Sequence, residues 1–177
     1  MSEPVKQIIR FIFFILVQAL VLNNMPPLHR FVTPYLYFLY LIWLPFNVSR
    51  SGMLIIGFIT GFALDLFTKT PGLHASACLW LAYLRTPLLK LLLPGETKEL
   101  KTGSSPSVRS MGLTTYILFV VMLTLFHHSW LVLLEWMSFG SFLYFIGKVF
   151  FTTLASLLLI LIAELLFRPI KKRRSNS

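Results

Sequence analysis

Long apolar runs separated by short polar breaks recur along the chain, and most have the length of a helix that crosses a bilayer. The first runs from about Ile8 to Leu22, where Asn23, Asn24, Pro26 and Pro27 stop it. The second, about Phe31 to Phe46, is short and begins and ends near Pro34 and Pro45. It carries Tyr35, Tyr37, Tyr40 and Trp43, aromatic residues suited to a membrane–water interface. A run this short spans only with tilt, local thinning or a broken end. The third and fourth, about Gly52–Phe67 and Gly72–Leu93, are joined by a Thr/Lys/Pro-Gly turn, and Pro87 is placed to bend or end the fourth. The fifth covers about Thr114–Leu134 and the sixth about Phe142–Phe167. Between the fourth and fifth lies a polar stretch from Pro94 to Arg109 with the Gly/Ser/Pro signals of an irregular loop, too short to fold alone. The pattern predicts an all-α polytopic membrane protein, a compact bundle of about six transmembrane helices. It forms a single integral-membrane domain over residues 1–177, with residues 170–177 as a flexible basic tail.

Within the third run, Gly57, Gly61 and Asp65 follow one another at four-residue spacing and so share one helix face. Glycines spaced this way let a second helix approach to backbone contact in lipid. A carboxylate near the bilayer centre costs about 2.5–3.5 kcal/mol on insertion scales, so the stripe is expected to face protein. Gly72 and Ser76 repeat the small-residue spacing after Pro71, and the two helices are expected to pack closely.

The residues Gly61, Asp65, Leu66, Pro71, Gly72 and Ala75 compose a pattern of apolar-Gly-x-x-x-Asp-Leu, short turn, Pro-Gly and small-residue helix. This resembles the core of the bacterial rod shape-determining protein family MreD, over about twenty residues. Elsewhere the likeness rests on length, hydropathy and a short cationic C-terminal tail. The resemblance implies a multi-pass subunit of the bacterial inner membrane. It would be a non-enzymatic scaffold of the elongation machinery that builds side-wall peptidoglycan and maintains cell shape. It also implies partners: a bitopic MreC-type protein, a RodA-type glycosyltransferase with its transpeptidase, and actin-like MreB filaments. At fold level that family resembles the substrate-binding subunits of vitamin importers, so the alternative is a solute-binding transporter subunit. Such a site would draw on Asp65, Lys148, Gln18 and Thr60.

Composition agrees with a lipid environment: 56% of the 177 residues are hydrophobic and 12% charged. The net charge of +10 does not point to nucleic acid, because Lys and Arg cluster at the ends of apolar runs. Lys6, Arg10, Arg50, Lys90, Lys98, Lys101, Arg109 and the Arg168–Arg174 cluster fall on one side of a six-span layout. Arg30 and Lys69 fall on the other. Both termini and the 94–109 loop are therefore expected in the cytoplasm. Lys98, Lys101, Arg109, Lys171, Lys172, Arg173 and Arg174 are candidates for contact with anionic lipid or a cytoplasmic partner. Lys6 and Arg10 before an apolar run imitate a secretory signal. With no small-x-small site after it, the first helix is expected to stay uncleaved.

Candidate chemistry is sparse. Cys78 is the one cysteine, so no intrachain disulfide is expected, and it reads as a small packing residue. His127 and His128 point about 100° apart on a helix and have no metal-ligand spacing to a partner, so they read as interfacial polar residues beside Trp130. His74 after the Pro-Gly turn has no triad spacing. No catalytic residue, metal or cofactor is assigned. Gln18 is expected to find a partner on another helix, and Glu164 to pair with Arg168 near the inner surface. Asp65 and Lys148, both in apolar helices, can meet across the third and sixth helices and offset each other's desolvation. In the alternative, Lys148 snorkels while Asp65 bonds to the Thr68–Thr70 turn.

Overall fold

A computed structural model describes residues 3–26, 32–93, 104–137 and 141–167. Helix α1 (Glu3–Leu16) continues through a π turn at Val17–Val21 and a 3-10 turn at Leu22–Asn24; α2 (Leu39–Ile42) is a single turn. The long helices α3 (Arg50–Thr68) and α4 (Leu73–Leu92) form a hairpin, and the short α5 (Val108–Met111) leads into α6 (Leu113–Trp136) and α7 (Phe142–Phe167). Four stretches, Pro4–Asn24, Arg50–Thr68, Leu113–Trp136 and Phe142–Phe167, are long and apolar enough to cross a membrane. At 20 residues α4 is about 30 Å long, also a bilayer's thickness, and it runs on through Pro87.

The distribution of side chains suits a bundle in lipid. Ile55, Phe58, Ile59, Phe62 and Leu66 stand outward along α3, as do Leu154, Leu158, Leu161 and Leu165 along α7. Buried inside are Gln18, Thr60, Asp65, His74, Arg85, Thr124, His127, His128, Thr152 and Ser156. Apolar outside and polar inside is what a solvent of hydrocarbon selects.

The second apolar run departs from expectation. It is no transmembrane helix; apart from α2, residues 32–48 are extended or turning chain, and residues 35–44 are all buried. The segment nevertheless traverses the bundle. Its Thr33 N–H donates to Thr152 Oγ1 at 3.4 Å, its Tyr35 N–H to Ser156 Oγ at 2.9 Å, and its Trp43 indole N–H to Glu164 at 2.6 Å. The partners descend α7 in order, so the segment runs alongside α7 for about 18 Å. Pro34 lacks a helical donor and disfavours the helical conformation at Thr33, which works against a helix beginning there. Tyr35, Tyr37, Tyr40 and Trp43, expected at an interface, are core residues instead. Their rings fill the space between helices that an extended chain, slimmer than a helix, would otherwise leave open.

Candidate functional site

Two constructions occupy the interior. The first is the α3–α4 hairpin. A Cβ added at Gly61 would stand 2.3 Å from the His74 carbonyl oxygen and 2.4 Å from Ala75 Cα, so the two backbones touch there. At Gly57 the neighbours are Ala82 Cβ at 2.9 Å and the Cys78 oxygen at 3.0 Å. One turn beyond Gly61, the Asp65 carboxylate reaches the open start of α4. It accepts the N–H groups of Gly72 (3.0 Å), His74 (2.9 Å) and Ala75 (3.0 Å), and the Thr70 hydroxyl at 3.4 Å. These are N–H groups that the first turn of a helix cannot satisfy itself, and the helix dipole favours an anion beside them. The turn between is shaped by Lys69 at φ +57° and Gly72 at φ +89°. Gly72 tolerates that conformation because it has no Cβ.

This geometry separates the two readings of Asp65. Lys148 is not its partner: the ammonium pairs with Glu135, near the end of α6. Asp65 needs no cation because its charge is met by peptide dipoles. The turn reading holds in part, through Thr70, with the larger share of the bonds made by the start of α4. Ser76 and Gly72 do not supply the close approach on the α4 side. Gly72 precedes the helix and has open space around it, while the packing face is Ala75, Cys78 and Ala82. Pro71 is exposed in the turn.

The second construction satisfies the backbone of the non-helical crossing. The π turn at Val17–Val21 carries Gln18, whose Oε1 accepts the Leu36 N–H at 2.7 Å. Its Nε2 donates to Asn23 Oδ1 at 2.8 Å and to the Pro34 carbonyl at 3.3 Å. Arg85, 1% exposed, donates to the Leu44 carbonyl. With Thr152 and Ser156, side chains from α1, α4 and α7 stand where intrahelical bonds would otherwise be. Buried non-helical backbone survives under such cover.

Ring hydroxyls and imidazoles lock the same segment sideways. Tyr37 Oη lies 3.0 Å from both His74 Nδ1 and His127 Nε2, and its O–H donates to one and accepts from the other. His128 Nδ1 lies 3.2 Å from Thr153 Oγ1, and Phe38 stacks on His127 with centroids 4.5 Å apart. His127 and His128 are therefore core residues rather than interfacial ones. The missed signal is their spacing from Thr124: three and four residues, one polar face on an otherwise apolar helix. Glu164 likewise turns inward, accepting from the Tyr116 hydroxyl and the Trp43 indole. Its expected partner Arg168 lies outside the described residues, as do Lys98, Lys101, Lys171, Lys172, Arg173 and Arg174. Arg109 is exposed on α5.

At the end of the bundle that holds the α3–α4 turn, a cavity of about 560 Å³ opens between α1, the crossing segment and the hairpin. Asn23, Thr33, Tyr35, Thr70, His74 and Glu135 are among its walls. Among the described residues, no group of three or more His, Cys, Asp or Glu is placed to hold a metal ion.

Fold and site define a class, an all-helical protein with four stretches long and apolar enough to cross a membrane, packed around a buried non-helical segment. No family model, curated protein or solved structure matches the chain.

Proposed function

We propose that this chain is a non-enzymatic scaffold subunit of a bacterial cell-elongation complex, of the kind the MreD resemblance implies. The observation that carries the reading is the use made of Gly61, Asp65, Gly72 and Ala75, the residues behind the resemblance. They press two backbones together and cap a helix, an arrangement that builds a rigid packing unit. The interior polar side chains serve the same end, holding backbone in place. An MreC-type bitopic protein is the proposed direct partner, with a RodA-type glycosyltransferase, its transpeptidase and MreB filaments in the wider assembly. Depleting the protein in a rod-shaped host should give round cells that no longer elongate, and the tagged protein should bring down an MreC-type partner. Normal shape after depletion would refute this reading.

In the proposed arrangement the non-helical segment counts as one of six crossings, and both termini lie on the cytoplasmic side of the inner membrane. Charge asymmetry supports this orientation. Single cysteines in a Cys78→Ala background should be shielded from an impermeant thiol reagent at Ser104 and labelled at Ser138 in intact cells. The reverse pattern would invert the topology.

A second reading, a solute-binding subunit of a transporter, is favoured by the 560 Å³ cavity with its amide, hydroxyl and imidazole lining. Loss of uptake of one nutrient on depletion, with cell shape intact, would select it over the scaffold.

A further inference from the structure

An apolar groove of about 400 Å³ opens on the outer surface between α3, α4 and α6, lined by Leu54, Ser76, Leu79, Trp80, Tyr83 and Trp130. Its floor is flat aromatic surface. Trp80 stacks on Trp130 with centroids 5.1 Å apart at 23°, and on Tyr83 at 6.1 Å and 13°. At one end the Arg50 guanidinium sits over Tyr83, 4.9 Å from the ring centroid. Arg50 is exposed, and the described residues give it no carboxylate. It opens α3, a helix with no acidic residue in its first turn, so the positive helix terminus adds to its charge rather than offsetting it.

The packing register fixes the depth of the groove. Gly57 lies against Cys78 and Ala82, and Gly61 against His74 and Ala75. Tyr83 is thus level with the first turn of α3, and Ser76 about ten residues above Arg50, or ~15 Å. That is about half the ~30 Å hydrocarbon core, the depth of one leaflet. A partner helix would overrun the groove, because it must cross the whole core. A lipid matches it: an acyl chain along the aromatic floor and a phosphate at Arg50.

We propose that this groove binds one anionic phospholipid of the leaflet on the Arg50 side, its phosphate held by Arg50 and a chain laid on Trp80 and Trp130. The site stands apart from the scaffold and transporter readings and survives the failure of either.

The full-length protein is reconstituted in phosphatidylcholine vesicles containing phosphatidylglycerol, with dibrominated chains on one lipid or the other at equal mole fraction. Tryptophan quenching is then read. Brominated phosphatidylglycerol should bind with about fivefold preference, the equivalent of ~1 kcal/mol for one cation at an anionic headgroup. Arg50→Gln should abolish the preference while leaving the elution profile and helix content unchanged, and Lys69→Gln, an exposed cation at the opposite end of α3, should leave it intact. Equal quenching by both lipids in the native chain overturns the proposal. So does quenching by neither, which would mean that protein covers the groove, or a preference that Arg50→Gln does not alter.

Discussion

Replacing Asp65 with Ala should cost the protein more stability than removing any other ionisable side chain described above. The carboxylate is 3% exposed and holds three backbone N–H groups at the start of α4. Without it those donors face apolar surroundings unpaired, at about 1–3 kcal/mol each. A loss of at least ~3 kcal/mol is expected, seen as a large drop in apparent melting temperature by fluorescence-detected gel filtration in detergent. Asp65→Asn should fall between, since its amide oxygen still accepts while its NH₂ confronts a donor. Lys148→Met should spare the hairpin, because Lys148 pairs with Glu135. The account fails if Lys148→Met and Asp65→Ala lower the melting temperature equally and the double variant no further.

Gly61→Ala should be as damaging, although it adds one methyl group. The new Cβ would fall 2.3 Å from the His74 oxygen and 2.5 Å from the Ala75 nitrogen, both backbone atoms that no rotamer change can move. The helices must separate, and Asp65, one turn along, is drawn away from the N–H groups it caps. Packing and capping are lost together, on the order of 3–5 kcal/mol for overpacking plus unpaired donors. Gly57→Ala should cost less, since the nearest atom there is the Ala82 Cβ at 2.9 Å. The second-site change Ala82→Gly should recover part of the Gly57→Ala loss. Ala75→Gly should recover little of the Gly61→Ala loss, because the obstructing atoms belong to the main chain. Equal rescue at both positions would show that the hairpin is looser than described. Thermal unfolding of the two double variants makes the comparison.

Much of the framework is visible in the chain itself. The long helices, the turn around Pro71 and Gly72, and the inward stripe of Gly57, Gly61 and Asp65 follow from apolar run length and four-residue spacing. What side-chain pairing rules could not reach was the partner of Asp65, because the partner is the peptide backbone, which every sequence carries. The partner of Lys148 is hidden for a related reason. Glu135 lies near the end of α6, 13 residues before Lys148, and the two meet because α6 packs against α7. The Phe31–Phe46 run reads as a helix because its composition is that of a short span. The side chains replacing its internal hydrogen bonds are Gln18, Arg85, Thr152 and Ser156, scattered over the whole chain. No local window contains them together. Interfacial aromatics and core aromatics also share a composition, which is why Tyr37 and Trp43 gave no warning.

The buried non-helical segment imposes an order on folding. A helix can enter lipid as soon as it is made, since its hydrogen bonds lie within itself. Residues 33–43 cannot, because the groups that satisfy Thr33 and Tyr35 are 119 and 121 residues further along. At about 5–20 residues per second of synthesis, the wait is roughly 6–24 s. During that interval these backbone groups must be satisfied by water or by another protein. Only once α7 has been made are the hydroxyls of Thr152 and Ser156 present to complete the pairing of this segment.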